Sequence, residues 1–168
     1  TNRLETVTYT DGSKYSFEYD TMTVPGKSFL KTVKDALNNA LETHVYDSQG
    51  RATTSEKHGG VEKYAINYTL DILNRPLTIV TDARGNITKY SHIRQFGTNL
   101  VLKTEGACSC GGGGSEVTTY AYNMSNSWLN LVKKTDALNR ETVYTYDSDR
   151  NVTAVTDFLG TQTFTYNS

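Results

Sequence analysis

Apolar and polar residues alternate along most of this chain in short runs, each closed by a cluster of turn-forming residues. Between Glu141 and Asp147, Thr142, Tyr144 and Tyr146 fall on one side of a period-two pattern, and Glu141, Val143, Thr145 and Asp147 on the other. That is the spacing of a half-buried strand. The run Leu131–Asp136 precedes it, separated by Ala137–Arg140, and Val152–Asp157 and Thr161–Tyr166 follow. Asp, Asn and Gly supply turn conformations and side-chain-to-backbone hydrogen bonds, while β-branched and aromatic residues fill the strands. The pattern predicts an all-β chain of about fifteen short strands, with hairpin turns at Gly12, Asn38–Asn39, Gly50, Gly85, Asn139 and Gly160. One segment, Phe29–Leu41, has apolar residues at helical spacing. Its Asp35-Ala-Leu-Asn38 is nevertheless identical to Asp136-Ala-Leu-Asn139, which lies between two clear strands, so 29–34 and 40–46 are expected to form a hairpin.

The unit recurs. Tyr46-Asp-Ser-Gln-Gly-Arg51, Asp71-Ile-Leu-Asn-Arg75 and Thr81-Asp-Ala-Arg-Gly85 repeat the same grammar, with closing tyrosines at Tyr46, Tyr68, Tyr90, Tyr122, Tyr146 and Tyr166. Two strands per period make each repeat one hairpin, and a fixed period is the mark of an array built by nearest-neighbour stacking. The succession Tyr-Asp-x-x-Gly-Arg, a β-branched run ending Thr-Asp, x-x-Gly, then a Thr/Tyr-rich strand resembles the YD repeat of RHS proteins. The signature residues are Tyr46, Asp47, Gly50, Arg51, Asp71, Asp82, Gly85, Tyr90, Asp136, Tyr146, Asp147, Asp157, Gly160 and Tyr166. About seven degenerate hairpin repeats then fill residues 1–168 as a single array, with longer loops or a bulged hairpin near 20–33 and 92–117.

The resemblance implies a long antiparallel sheet that twists and curls into a segment of a spiral shell or solenoid. In that family the shell encloses or displays a toxin or effector domain. The partners it implies are the remainder of a longer RHS-type polypeptide and its C-terminal domain, at a bacterial cell surface or in secreted form. The chain reads as beginning and ending inside its own repeat pattern. No leader is read at Thr1–Glu5, which already looks like strand.

Composition agrees with a thin β structure. The hydrophobic fraction is 36%, against about 45–50% in ordinary globular domains, yet the 12 tyrosines and only 2 prolines do not suit a disordered chain. With 17 Lys and Arg against 18 Asp and Glu, the net charge is −1, which argues against a nucleic-acid partner. No apolar run approaches the ~20 residues of a membrane-spanning helix.

Candidate chemistry is sparse, and no cofactor is expected. Cys108 and Cys110 stand in a Gly-rich stretch and are expected to be free or mutually bridged thiols, since a structural zinc site needs four ligands. The stretch lacks the Gly-Lys-Ser/Thr of a phosphate loop. Asp147, Asp149 and Asn151 have the spacing of the first calcium-loop ligands, but Val152 and Phe158 stand where that loop requires Gly and Glu; a hairpin turn is the better reading. Arg51, Arg75 and Arg140 are expected to pair with neighbouring Asp carboxylates. No grouping of nucleophile and base points to an enzyme. Two further readings remain open, a fibre or surface layer joined through open strand edges, and an adhesive or carbohydrate-binding surface of exposed Tyr and Thr. The first strand near Leu4–Thr10 and the last near Thr161–Tyr166 would be the edges for such self-association.

Overall fold

Asp- and Gly-punctuated runs become strands throughout. The computed structural model describes residues 3–107, 115–125 and 128–167, and it is all-β. Fourteen antiparallel strands follow one another in the sheet in the order of the chain. Among the described residues there is no α-helix, only a short 3₁₀ turn at His58–Gly60. By internal contacts the chain divides into two units, residues 1–67 with 80–86, and residues 68–79 with 87–168.

In the first unit, β1 (Thr6–Thr8), β2 (Lys14–Asp20), β3 (Phe29–Lys34), β4 (Ala40–Tyr46) and β5 (Ala52–Lys57) pair each with the next, and β5 pairs with the start of β6 (Tyr64–Leu70), which runs past the unit's boundary at residue 67. The expected hairpin at 29–46 is present as β3 and β4. Its helical periodicity is overridden because Asp35 and Asn39 close a tight turn between the two runs. β7 (Pro76–Thr81) follows β6. In the second unit, β8 (Ile87–Gln95), β9 (Thr98–Ala107), β10 (Ser115–Tyr122), β11 (Leu131–Thr135), β12 (Glu141–Tyr146), β13 (Val152–Asp157) and β14 (Gly160–Thr163) again pair consecutively.

Residues 21–28 form the loop ahead of β3, whereas most of 92–107 is strand: β8 and β9 turn at Phe96-Gly97 and carry a bulge at Ser91/His92. Of the two forms expected across 92–117, a longer loop or a bulged hairpin, the described residues up to 107 take the bulged hairpin. Cys108 and Cys110 lie outside the described residues.

Each unit is one layer thick, and its two faces differ. In the second unit the register places Tyr90, Tyr120, Lys134, Thr142, Tyr144 and Val155 on one face. Lys103, Glu105, Thr119, Lys133, Val143 and Thr156 share the other. In the first unit Tyr15, Phe17, Val33 and His44 share the aromatic face, while Ser16, Glu18, Thr32, Lys34 and Thr43 lie opposite. Little is buried to depth. Among the described residues Leu100 is the one buried apolar side chain, at 8% exposure, with Thr32 and Ser91 the buried polar ones.

Candidate functional site

Six turns are built from one local plan. Asp35, Asp47, Asp71, Asp82, Asp136 and Asp147 each open a five-residue turn in which the Asp amide donates to the carbonyl of the fifth residue. The amide of the fourth residue donates back to the Asp carbonyl. The fourth residue takes a positive φ in every case: Asn38, Gly50, Asn74, Gly85, Asn139 and Arg150. This is a type I turn closed by a left-handed residue, a common hairpin connection. Gly and Asn enter that conformation most easily, which is why the sequence spells the position with them at five of the six turns.

The Asp side chain completes the plan. Oδ1 accepts from the amides of the third and fifth residues, for instance Leu138 at 2.8 Å and Arg140 at 3.0 Å on Asp136. Oδ2 accepts from the side chain of the fifth residue. Arg51, Arg75 and Arg140 reach it through Nε and Nη2 at 2.7–2.8 Å, and Asn39, Asn86 and Asn151 through Nδ2 at 2.8–3.0 Å. The three arginines thus meet their own turn carboxylates, as expected from the sequence. Asp147 is likewise spent on Asp149 and Asn151 backbone amides and on Asn151 Nδ2, so its oxygens serve the turn.

These hydrogen bonds hold all six carboxyls below the usual Asp range. The largest contribution at Asp47 and Asp71 comes from the Arg51 and Arg75 amides. At Asp35, Asp82, Asp136 and Asp147 it comes from the side chains of Asn39, Asn86, Arg140 and Asn151. Asp157 opens a tighter turn, with Asp157 opposite Gly160 and the Leu159 amide on Asp157 Oδ1.

A second device closes the other end of the hairpins. The hydroxyls of Tyr19, Tyr46, Tyr122, Tyr146 and Tyr166 donate to the carbonyls of Leu4, Leu30, Val101, Leu131 and Val152, at 2.6–3.1 Å. Leu30, Leu131 and Val152 lie at or next to the start of the preceding strand, Val101 is the fourth residue of β9, and Leu4 lies two residues ahead of β1. At Tyr19, Tyr46, Tyr122 and Tyr146 the ladder to the following strand also shifts register by one residue, a β-bulge. Partial burial raises the phenol pKa of Tyr46, Tyr122 and Tyr146.

Tyr90, read as a closing tyrosine, instead lies inside β8, and the bulge falls two residues later at His92. His92 Nε2 meets Thr78 Oγ1 at 3.0 Å, and burial lowers the imidazole pKa. Sequence reasoning missed this histidine. The signal available was its place on the same face as Tyr90, one alternation further on.

Aromatic plugs cover two of these corners. In the first unit the Phe29 ring stacks on Tyr46, with centroids 4.9 Å apart, and lies directly against Gly50, where any Cβ would collide with it. In the second unit Arg150 lies over the Trp128 ring at 5.1 Å. Beside Trp128 is an open hollow of about 370 Å³ lined by Asn123, Asn130, Tyr144, Tyr146 and Asp147 among others. Among the described residues no cluster of His, Cys, Asp or Glu has the arrangement of a metal site. No helix there is long and apolar enough to cross a membrane, which says nothing of a β-barrel.

The class defined by this architecture is a tandem β-hairpin array with Asp-capped turns and tyrosine-tied strand ends. Residues 126–162 match the RHS Repeat family, so the array carries an RHS repeat in its C-terminal part. No curated protein matches the chain. Solved crystal structures similar to it include three of TcdB2-TccC3 assemblies. One is of TcdB2-TccC3-Cdc42, at 14% identity, covering 87% of this chain and 10% of that chain with a TM-score of 0.26. Another is of TcdB2-TccC3-TEV, at 12% identity, covering 92% and 11% with a TM-score of 0.29. The third is of TcdB2-TccC3 without its hypervariable C-terminal region, at 14% identity, covering 92% and 11% with a TM-score of 0.25. At such TM-scores these likenesses carry no structural weight, and the chain spans about a tenth of the length of the chains it matches.

Proposed function

We propose that this chain is a non-catalytic wall segment of an RHS-type β-shell that encloses or displays an associated toxin or effector domain. The observation that carries the reading is the single-layer construction: an RHS repeat built into sheets whose aromatic faces stay half-exposed and whose described residues bury almost no core. A sheet of this kind gains most when a further layer or an enclosed partner covers its aromatic side. The turns and strand ends support the same reading, because their polar groups are spent on holding hairpins together. The partners are the remainder of a longer RHS-type polypeptide and its C-terminal domain, and the site of action is secreted or at a bacterial cell surface.

The test is limited proteolysis of the full reading frame that contains this chain. A C-terminal domain resistant to protease in the intact protein, and digested when expressed alone, supports enclosure. Equal digestion in both settings overturns it.

A further inference from the structure

The corner where the β10–β11 and β12–β13 connections meet repeats a corner of the first unit with two residues exchanged. Tyr46 and Tyr146 donate to the carbonyls of Leu30 and Leu131, so Phe29 and Asn130, each one residue earlier, hold the same place. Gly50 and Arg150 are likewise the fourth residues of the Asp47 and Asp147 turns. In the first unit the Phe29 ring fills the corner, stacked on Tyr46 and pressed against Gly50. In the second unit Asn130 brings no ring, and a hollow of about 370 Å³ stands open there. That is within the range of about 300–1,000 Å³ common to small-molecule sites. Arg150 alone among the six turns enters the left-handed region, at φ 72°, without being Gly or Asn. Strain of this kind persists where the surroundings use it, and it gathers at ligand sites. Here the Arg150 guanidinium lies 5.1 Å over the ring of Trp128, which borders the hollow and is 48% exposed.

The polar groups around the hollow select its ligand. The Asp147 oxygens are spent on their own turn and the Tyr146 hydroxyl on Leu131 O. Among the described residues the Asn130 carboxamide and the Tyr144 hydroxyl bond to no protein group. Asn123 gives Oδ1 to the Ser125 amide at 3.0 Å and keeps its NH2 as a donor. Aromatic rings with neutral amide and phenol groups among them suit a ligand that is apolar on one face and carries hydroxyls along its edge. A sugar ring has that form, with C–H bonds over its face and hydroxyls around it. Ionic ligands are less well served, because Asp147 is already bonded to amides and Arg150 already lies over Trp128. We propose that this hollow binds a neutral saccharide, one pyranose stacking on Trp128 while Asn123, Asn130 and Tyr144 take its hydroxyls. The site goes beyond the wall reading and stands whether or not a domain is enclosed. β10 to β13 and their connections form it, and β9 and β14 of this chain flank them, so it does not depend on what adjoins residues 1–168.

Trp128 is the only tryptophan in the sequence, so the intrinsic fluorescence of the 168-residue chain reports on this corner alone. Titration with cellobiose, lactose and diacetylchitobiose as neutral probes should give a saturable change in tryptophan emission with at least one of them, in the millimolar range. Asn130→Phe combined with Arg150→Gly transplants the plug of the first unit and keeps the tryptophan. It should weaken binding about tenfold or more, and Gly enters position 150 without strain. If that variant fails to fold, Tyr144→Phe decides. It removes one hydroxyl and should weaken binding about threefold or more. No saturable response to any of the three sugars overturns the proposal and leaves the wall reading standing. An undiminished response in the variants overturns the site. A response to a proline-rich peptide or a glucuronate-bearing disaccharide, with none to the neutral sugars, overturns the ligand class.

Discussion

Gly50 and Gly85 occupy the same place in equivalent turns, with φ of 78° and 83°, yet their surroundings differ. A Cβ at Gly85 meets open space, whereas one at Gly50 collides with the Phe29 ring. Gly85→Ala should therefore cost only the left-handed backbone strain, about 1 kcal/mol. Gly50→Ala adds overpacking to that strain and should cost about 2–4 kcal/mol. Equal losses in chemical denaturation would mean that the Phe29 contact is not what fixes Gly50. The tyrosines allow a cleaner subtraction. Tyr146→Phe removes one hydroxyl, bonded to Leu131 O at 2.7 Å, and should cost about 0.5–1.5 kcal/mol. At this scale much was legible. Asp, Gly and Asn mark the turns by type, and Arg51, Arg75 and Arg140 meet their carboxylates because four residues of a tight turn bring them there. The phenol-to-carbonyl bonds were not legible, since strand propensity explains a tyrosine equally well without a partner for its hydroxyl.

Turns are the elements most exposed to pH. Asp11 and Asp20 are lowered along with the six turn carboxyls, mainly by the side chains of Ser13 and Thr23. A folded pKa below the unfolded value means the charged form is favoured by folding. The stabilisation is complete above the unfolded pKa of about 3.9 and is lost as pH falls from there through the lowered folded values. The melting temperature should drop steeply below about pH 4. Asp136→Asn, which keeps an acceptor for the turn amides but not the charge facing Arg140, should flatten that drop slightly and destabilise less than Asp136→Ala. His92 acts at higher pH. Its imidazole is lowered from 6.5 by burial, so the unfolded chain takes up a proton first, and a shallow loss begins as pH falls below that value. His92→Tyr, which restores the residue found at four other bulges, should remove the shallow step while leaving the acid limb. Persistence of the step would mean that His92 is not its source. The bulges were the least legible elements. Each adds one residue to the strand that follows, and that residue, such as Thr53 between the pairs Val45–Thr54 and Tyr46–Ala52, has the same composition as its paired neighbours. The recurrence of closing tyrosines therefore drew Tyr90 into a place that His92 holds.

Stability on the scale of the whole molecule has to accumulate from neighbour to neighbour, because the described residues form no deep core to make it collective. In the second unit the pairings from β8 to β14 join consecutive strands only, and the described residues supply a single buried apolar side chain, Leu100 on β9. In such an array each hairpin contributes its own turn and strand-end bonds plus an interface with the next, and regions open with different free energies. β8 and β9 share the longest register, from Thr88–Gly106 to Gln95–Thr98, and contain that buried leucine. β13 and β14 share four pairs, and β14 is exposed along its length. Amide hydrogen exchange should therefore show protection highest in β8 and β9 and declining through β12 to β14. Tyr146→Phe makes the test local. Loss of its bond to Leu131 O should speed exchange in β11, β12 and β13 while leaving β8 and β9 within error of the unaltered chain. A uniform loss across the unit would instead mean all-or-none unfolding, and the nearest-neighbour account of this sheet would fail.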